Sequence, residues 1–445
     1  MIALKNSFRK IFYYPSALVG ILAVSLLVVT AMYAMIKIPY REAIRLWRGG
    51  EEVWYQNPKF APPAWINLFS RQKFSESFAV RTADGGMTKE VPPGPEGTAT
   101  TLASHAFDFS YDYYPQEMIL YLTSRYKEKQ PFISAEWLTP DGRTIRIANL
   151  AISQKQTYRF AQDEKLKTRL RTEDVIPYLF SDPETGRLIK GRYELLITGT
   201  TFEPDSNIDV EFVLHGQVYG LAGTDQARRD LVVPLLWGAP VALAFGLIAS
   251  LGTAMLTMII SAIGAWYGGW VDELIQRITE INLVLPFLSI LIMVGTFYSR
   301  SIWVILGATI ALSIFTGSIK SYRATFVQLK ESMYIEAARA YGANGPRIVF
   351  LYLIPRMIPL LIPGLVLSVP SFVFLEAGLA VLGLGDPVLP TWGKMIDDAN
   401  RNAALYRGYY YWILEPTVLL MITGLGFAML GFALDRIFNP KLRDL

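Results

Sequence analysis

The chain has 445 residues, 52% hydrophobic and 18% charged, with mean hydropathy +0.30 and net charge +4. Soluble domains carry more charge, about 25%, and the apolar residues here fall in long blocks, so a multi-span membrane protein is expected and the surplus of basic residues is assigned to cytoplasmic loops, not to nucleic-acid binding. The absence of cysteine excludes disulfides, thiolate metal sites and cysteine nucleophiles, and with only His105 and His215 a histidine-based metal or triad site is not expected.

Residues 17–36, ALVGILAVSLLVVTAMYAMI, are free of charge and long enough for the ~20 residues that a spanning helix needs. Lys5, Arg9 and Lys10 precede them, and no small-residue cleavage site stands out afterwards, so they read as a retained anchor with the N-terminus inside. Residues 38–220 differ in composition, being polar and rich in Pro, Tyr and charge. In RYELLITGT, Tyr193, Leu195 and Ile197 alternate with Glu194 and Thr198; in DVEFVLHG, Val210, Phe212 and Leu214 alternate with Asp209, Glu211 and His215. Period two argues half-buried strands. MILYLTSRY and FISAEWLTPDGRTIRIA follow suit, the second with a Pro-Asp-Gly turn. A β-rich, sandwich-like domain is expected here, with VPPGPEGTATT from residue 91 as a loop. Its aromatics, among them Trp54, Tyr55, Trp65, Tyr113, Tyr114 and Trp137, serve either as core or, if exposed, as a docking surface.

No charge occurs between residues 231 and 271, too long a run for one perpendicular span. Pro234 and Pro240 suggest a short interfacial segment with the span starting near Pro240. Further apolar runs cover 281–299, 301–319, 357–375 and 413–434, which with the first anchor makes six spans and puts both termini inside. Lys320, Arg323, Lys330, Arg339, Arg347 and Arg356, and in the tail Arg436, Lys441 and Arg443, then lie on the cytoplasmic side as the positive-inside rule requires. Lys37, Arg41, Arg45 and Arg48 fall on the other side and dilute the signal. The β-rich domain is external in this topology.

Between spans four and five lies YIEAARAYGANGPRIVFLYLIP. Glu336-Ala337-Ala338-Arg339-Ala340 favours helix and leaves a smooth surface. Gly342 suits the left-handed residue that ends a helix, Asn344-Gly345 is turn chemistry, and Pro346 suits the start of a new helix. Two short helices about a tight turn are expected. No G-x-x-x-x-G-K-[ST], H-E-x-x-H or G-x-S-x-G occurs, so the chain carries no P-loop of its own and no recognisable catalytic set.

Glu336-Ala337-Ala338, Gly342 and Leu353-Ile354-Pro355 resemble the EAA loop of ABC-importer permeases. LAGTDQARRDL (221–231), YGGWVDELIQRITEINLVLPFLSI, EAGLAVLGLGDPVLPTWGKMI (376–396) and ALDRIFNPKLRDL resemble segments of the C-type permeases of dipeptide and oligopeptide importers, in the same order. With the first span, the resemblance covers residues 221–445, about half the chain. It implies a type I importer permease fold of six transmembrane helices, with three regions: 1–37, an inserted external domain 38–220, and a core 221–445 with its cytoplasmic coupling loop at 320–356. It implies a transport subunit for peptides or related solutes, itself binding no cofactor. Implied partners are a second permease, two ATPase subunits holding ATP-Mg, an extracytoplasmic binding protein and membrane lipid. The resemblance departs at Arg228, or Ala227 if the register slips, where the family has Gly, at Tyr352 for a frequent His, and at Ile354 for Leu.

In that family the EAA loop docks on the ATPase, which points to Tyr334, Glu336, Ala337, Ala338, Arg339 and Gly342. Ala337 and Ala338 would give close contact and Gly342 the bend; Glu336 would either pair with the ATPase or cap its own helix. Pro359, Pro363 and Pro370 mark span five as either a pathway-lining or a kinked packing helix. Glu376 is either a functional carboxylate on that path or a cap for the turn at 383–385. Pro363, Pro370 and Glu376 are the path candidates. Two other classes compete: a sensor or mechanotransmission protein, which would need more cytoplasmic chain than follows Arg436, and a membrane-bound hydrolase, which would need convergent acid–base or metal residues.

Overall fold

In a computed structural model the described residues are 15–92, 98–203 and 205–438. Lys5, Arg9, Lys10, Lys441, Arg443 and residues 93–97 of the predicted loop lie outside them. The chain divides into two compact units, Met1–Arg48 with Val233–Leu445, and Gly49–Val232. The first begins with helices α1 (Pro15–Lys37) and α2 (Tyr40–Arg48).

The second unit opens with α3 (Glu51–Trp54) and carries nine strands: β1 (Phe78–Arg81), β2 (Thr88–Glu90), β3 (Ala99–Phe109), β4 (Glu117–Arg125), β5 (Phe132–Leu138), β6 (Thr144–Ala151), β7 (Lys155–Arg159), β8 (Gly191–Thr201) and β9 (Asn207–His215). Short helices α4 (Glu164–Leu170) and α5 (Val175–Phe180) connect β7 to β8. The strands form two antiparallel sheets, ordered β1-β9-β4-β7 and β2-β3-β8-β5-β6. Tyr193, Leu195 and Ile197 of β8 meet Val210, Phe212 and Leu214 of β9 and Trp137 of β5 in one core, as the period-two alternation predicts. Pro140-Asp141-Gly142 turns β5 into β6, with Gly142 at φ +84° and Asp141 accepting from Arg143 Nε at 2.6 Å. Of the aromatics, Trp137 is core, whereas Trp65 and Tyr113 are exposed.

Two expectations need correction. His215, assigned to the solvent side, is fully buried, because segment 221–231 covers that end of β9. The unit also reaches further than 220 and starts later than 38. Thr224 Oγ1 accepts from Ala61 N at 3.0 Å and donates to Pro58 O at 2.8 Å, which sews 221–231 to the unit's own first residues.

The helical unit continues with α6 (Val232–Tyr267), α7 (Gly269–Val284), α8 (Phe287–Phe297), α9 (Ile302–Ile314), α10 (Gly317–Lys330), α11 (Met333–Ala340), α12 (Gly345–Ile348), α13 (Ile354–Leu379), α14 (Trp392–Arg401) and α15 (Tyr411–Phe438). Among the described residues, four helices are long and apolar enough to cross a membrane, and two bent pairs, α7–α8 at 80° and α9–α10 at 50°, bring the number to six if each pair is one span. Pro286 sits at the first break, where it has no N–H to continue the ladder. The bends are braced: Asn282 Nδ2 donates to Leu312 O at 2.8 Å and Phe315 O at 2.7 Å, and Arg323 Nε reaches Asp272 Oδ1 at 2.6 Å.

The short segment before Pro240 and the span expected to start near it are one helix, since α6 runs unbroken from Val232. Neighbours stabilise its first turns. Trp392 Nε1 donates to Leu235 O at 2.9 Å and Trp237 Nε1 to Ile38 O at 3.0 Å. A Cβ on Gly238 would fall 2.1 Å from Trp392 Cδ1, so only glycine admits this packing. The anchor α1 belongs to the same bundle. Gly20 lies so close to α15 that a Cβ would meet Leu430 N at 2.7 Å, the small-residue contact that lets membrane helices approach.

Candidate functional site: the 333–348 turn and its supports

Helix α11 holds the residues singled out for coupling. Ile335 and Ala338 face inward, into a cluster with Ala265 of α6, Phe326 of α10 and Ile348, Val349 and Leu353 of the next helix. Glu336, Ala337 and Ala340 face outward. Of the two alanines expected to give close contact, Ala337 alone is on the outer face; Ala338, 5% exposed, is a packing residue. Helical spacing adds two residues that the sequence reading missed. Met333 and Tyr341, 87% and 93% exposed, flank Ala337 at four-residue steps and make an apolar stripe. The signal was present as M-x-x-x-A-x-x-x-Y, but only the inward burial of Ile335 and Ala338 fixes which face is outside.

The helix ends as predicted. Gly342 has φ +78°, its N–H donates to Arg339 O at 2.9 Å, and the N–H of Ala343 returns to Ala338 O at 3.0 Å. These are the paired bonds of a Schellman ending, with Ala343 packed beside Ala338. Asn344 then caps α12, its side chain accepting from Arg347 N at 3.1 Å, with Pro346 in the first turn. The second arm is not a separate short helix. It passes through one π-turn at Val349–Leu353, where Ile354 N–H bonds five residues back to Val349 O, straight into α13. The turn therefore leads straight into a candidate span, the helix running on from residue 345 through α13 until Gly383, at φ +85°, breaks it.

Two cation–π contacts fasten α11. Arg339 Cζ stacks 4.6 Å from the ring centroid of Trp266 at the end of α6, and Arg356 Cζ of α13 lies 5.9 Å from that of Tyr334. Lys330 Nζ donates to Trp266 O at 2.9 Å and Ala265 O at 3.2 Å, a cation on the last carbonyls of α6. Gly345 is needed here, since a Cβ would come within 2.8 Å of Trp266 Nε1. Arg339 thus turns toward its own chain, and Trp266 is a support that no motif announced.

Pro363, Pro370 and Glu376 lie along α13 and are all buried in the helical unit. The helix packs closely on α6: Ser250 Oγ donates to Leu365 O at 2.6 Å, and a Cβ on Gly246 would meet Val373 at 2.7 Å. The carboxyl of Glu376 hydrogen-bonds the Thr391 side chain, which caps α14, rather than the 383–385 turn. Asp386 holds the neighbouring loop to α9, accepting from Ile302 N at 2.9 Å and Val388 N at 2.8 Å.

The 221–231 segment resolves its own register. Arg228 has φ +64°, a conformation that costs an L-residue roughly 1–2 kcal/mol and suits glycine. The position of the expected glycine is therefore Arg228, not Ala227. Its guanidinium is buried, donating to Asn57 O at 2.6 Å, 3.1 Å from His215 Nδ1 and 3.2 Å from Glu117 Oε2, while Asn57 Nδ2 donates back to Arg228 O at 3.0 Å. Arg159 adds a bond to Glu117 at 2.9 Å. Burial opposes ionisation of Glu117, but the His215 hydrogen bond and the charges of Arg159 and Arg228 outweigh it and hold the carboxyl at about 2.

Residues 254–444 match the family model described as "Binding-protein-dependent transport system inner membrane component". The chain is 30% identical over 225 residues to the dipeptide transport system permease protein DppC of Alkalihalophilus pseudofirmus, covering 50% of this chain and 72% of that one. It is 31% identical over 226 residues to the oligopeptide transport system permease protein OppC of Bacillus subtilis, covering 50% and 72%. The peptidoglycan transport system permease protein YejE of Agrobacterium fabrum is 29% identical over 187 residues, 40% of this chain and 47% of that one. The family model begins beyond the β-rich unit. This chain belongs to the inner-membrane permease components of binding-protein-dependent ABC importers, a multi-pass transport subunit and not itself an enzyme.

Proposed function

We propose that this permease serves an importer of peptides or related small solutes and that α11 is its contact with the ATPase. The observation that carries the coupling reading is the mounting of α11: an apolar outer stripe, Met333, Ala337 and Tyr341, on a helix fixed at once to the end of α6 and the start of α13. A push on that stripe reaches two spans without being absorbed in a loose loop. Tyr334, Ala338, Arg339 and Gly342 hold the helix in place; Glu336 and Ala337 face the partner. ATP and its magnesium belong to two partner ATPase subunits, and a second permease and an extracytoplasmic binding protein complete the system.

This reading puts α11 and both termini in the cytoplasm and residues 49–232 outside. The peptide assignment rests on what DppC and OppC are named for transporting. A path role for Pro363, Pro370 and Glu376 requires α6 and α14 to move off α13 during the cycle. In the test, A337W is compared with the unaltered chain for co-purification of the P-loop ATPase from membranes. Loss of the ATPase with membrane insertion intact is expected; full retention by A337W and by M333E would sink the assignment. Uptake of labelled di- and oligopeptides, measured against sugars and metal chelates, decides the solute.

A further inference from the structure

The basic cluster after α1 is left unexplained by transport. Structurally it is the helix α2. Ala43 and Trp47 form its inner face, Ala43 packing with Ala34 of α1 and Trp237 of α6. Arg41, Arg45 and Arg48 follow at steps of four and three, and all three are exposed. Glu42, bonded to Arg45 Nε at 2.8 Å, is the one acid on this helix. A short helix at the end of a span, with tryptophan inward and arginines outward, has the pattern of one lying in the headgroup layer.

Beside α2 opens a recess of ≈ 230 Å³ lined by Tyr40, Trp237, Val241, Phe245, Ile302 and Leu306. No charged residue lines it. Its rim is aromatic: the Tyr40 and Trp237 rings lie 5.9 Å apart, and Trp303, also lining the recess, is 65% exposed. From Trp237 to Phe245 it follows α6 for about 12 Å. An apolar slot running down a span from an aromatic rim, lined at one end by the first residue of a helix with three exposed arginines, has the chemistry of an acyl chain below and a phosphate above.

We propose that α2 and this recess form a binding site for an anionic phospholipid, its acyl chain along α6 and its headgroup on Arg41, Arg45 and Arg48. The excess of arginine over the single Glu42 selects an anionic headgroup over a zwitterionic one. The site also accounts for basic residues on the side of the membrane where the positive-inside rule does not expect them. It depends on neither the coupling role of α11 nor the solute.

The test uses the full chain in its purified complex, delipidated and offered an equimolar mixture of dioleoyl phosphatidylglycerol and dioleoyl phosphatidylcholine, with retained lipid read by native mass spectrometry. Phosphatidylglycerol should be retained roughly fivefold or more over phosphatidylcholine. R41Q/R45Q/R48Q should abolish the preference, R41K/R45K/R48K should keep it, and A244F, which fills the recess that Ala244 also lines, should reduce retention of both lipids. Equal retention of the two lipids by the unaltered chain overturns the proposal, as does an unchanged preference in the glutamine variant or undiminished retention of both lipids in A244F. Loss of the second permease from A244F with lipid retention unchanged would assign the recess to a subunit contact and overturn it too.

Discussion

Gly342 and Arg228 both sit in left-handed backbone at turns, and they solve the same problem differently. Gly342 ends α11 at φ +78°, where an added Cβ would meet nothing within 4 Å. The turn needs only freedom of the backbone, and glycine supplies it. Arg228 takes φ +64° in the 221–231 segment, where the family pattern has glycine. There the backbone strain is offset by a side chain that ties Asn57, His215 and Glu117 together. A glycine suffices where a turn only has to bend; an arginine at the same geometry signals that the turn also holds something, here the folded β-rich unit.

The largest effect is expected at Arg228. R228A keeps the strained backbone, removes the buried guanidinium's bonds to Asn57 and His215 and leaves half-buried Glu117 with Arg159 alone, so the β-rich unit should lose about 3–5 kcal/mol in denaturant unfolding. R228G relieves the strain and should lose roughly 1–2 kcal/mol less. An R228G chain more stable than the unaltered one would break the comparison. Next comes acid. The Glu117 carboxyl is held at about 2, below its ordinary 4.5, so its contribution is complete above about 4.5 and is lost as pH falls toward 2. The loss is roughly 3 kcal/mol, and E117Q should flatten that part of the stability profile.

At the other turn, G342V forces a β-branched residue into φ +78°, a strain of about 1–3 kcal/mol. ATP-driven uptake should fail while insertion into the membrane is normal, with G342A intermediate; uptake at the ordinary rate in G342V would remove the coupling role. The smallest effect belongs to the Arg339–Trp266 stack. R339Q should cost about 0.5–1 kcal/mol and slow uptake two- to fivefold without releasing the ATPase. Loss of ATPase binding instead would place Arg339 on the outer face in the working complex.

Local chemistry made much of this legible. Gly342, Asn344 and Pro346 specify their turn whatever surrounds them, because positive φ, side-chain capping and a missing N–H are properties of one or two residues. The β8 and β9 alternation pointed to a sandwich for a similar reason: period two puts Tyr193, Leu195 and Ile197 on one face of any strand. What failed were readings that depend on neighbours. Pro240 does not separate an interfacial segment from the span, because Trp392 and Trp237 support the helical turns before it. His215 was placed in solvent by alternation and buried by a segment that arrives from elsewhere in the chain.

By itself, then, the sequence determined a multi-span helical chain, the period of the strands, the turn after α11 and the family, since these follow from hydropathy, periodicity and residue-level backbone preference. Only the tertiary structure decided which face of α11 is free, that its following turn is the start of a span, and that Arg339 stacks on Trp266. It alone showed that Arg228, in left-handed backbone, ties itself to Asn57 near the start of the β-rich unit. These depend on contacts between segments far apart in the chain, Trp266 with Arg339 and Asn57 with Arg228, whose energies exist only once the fold has brought them together.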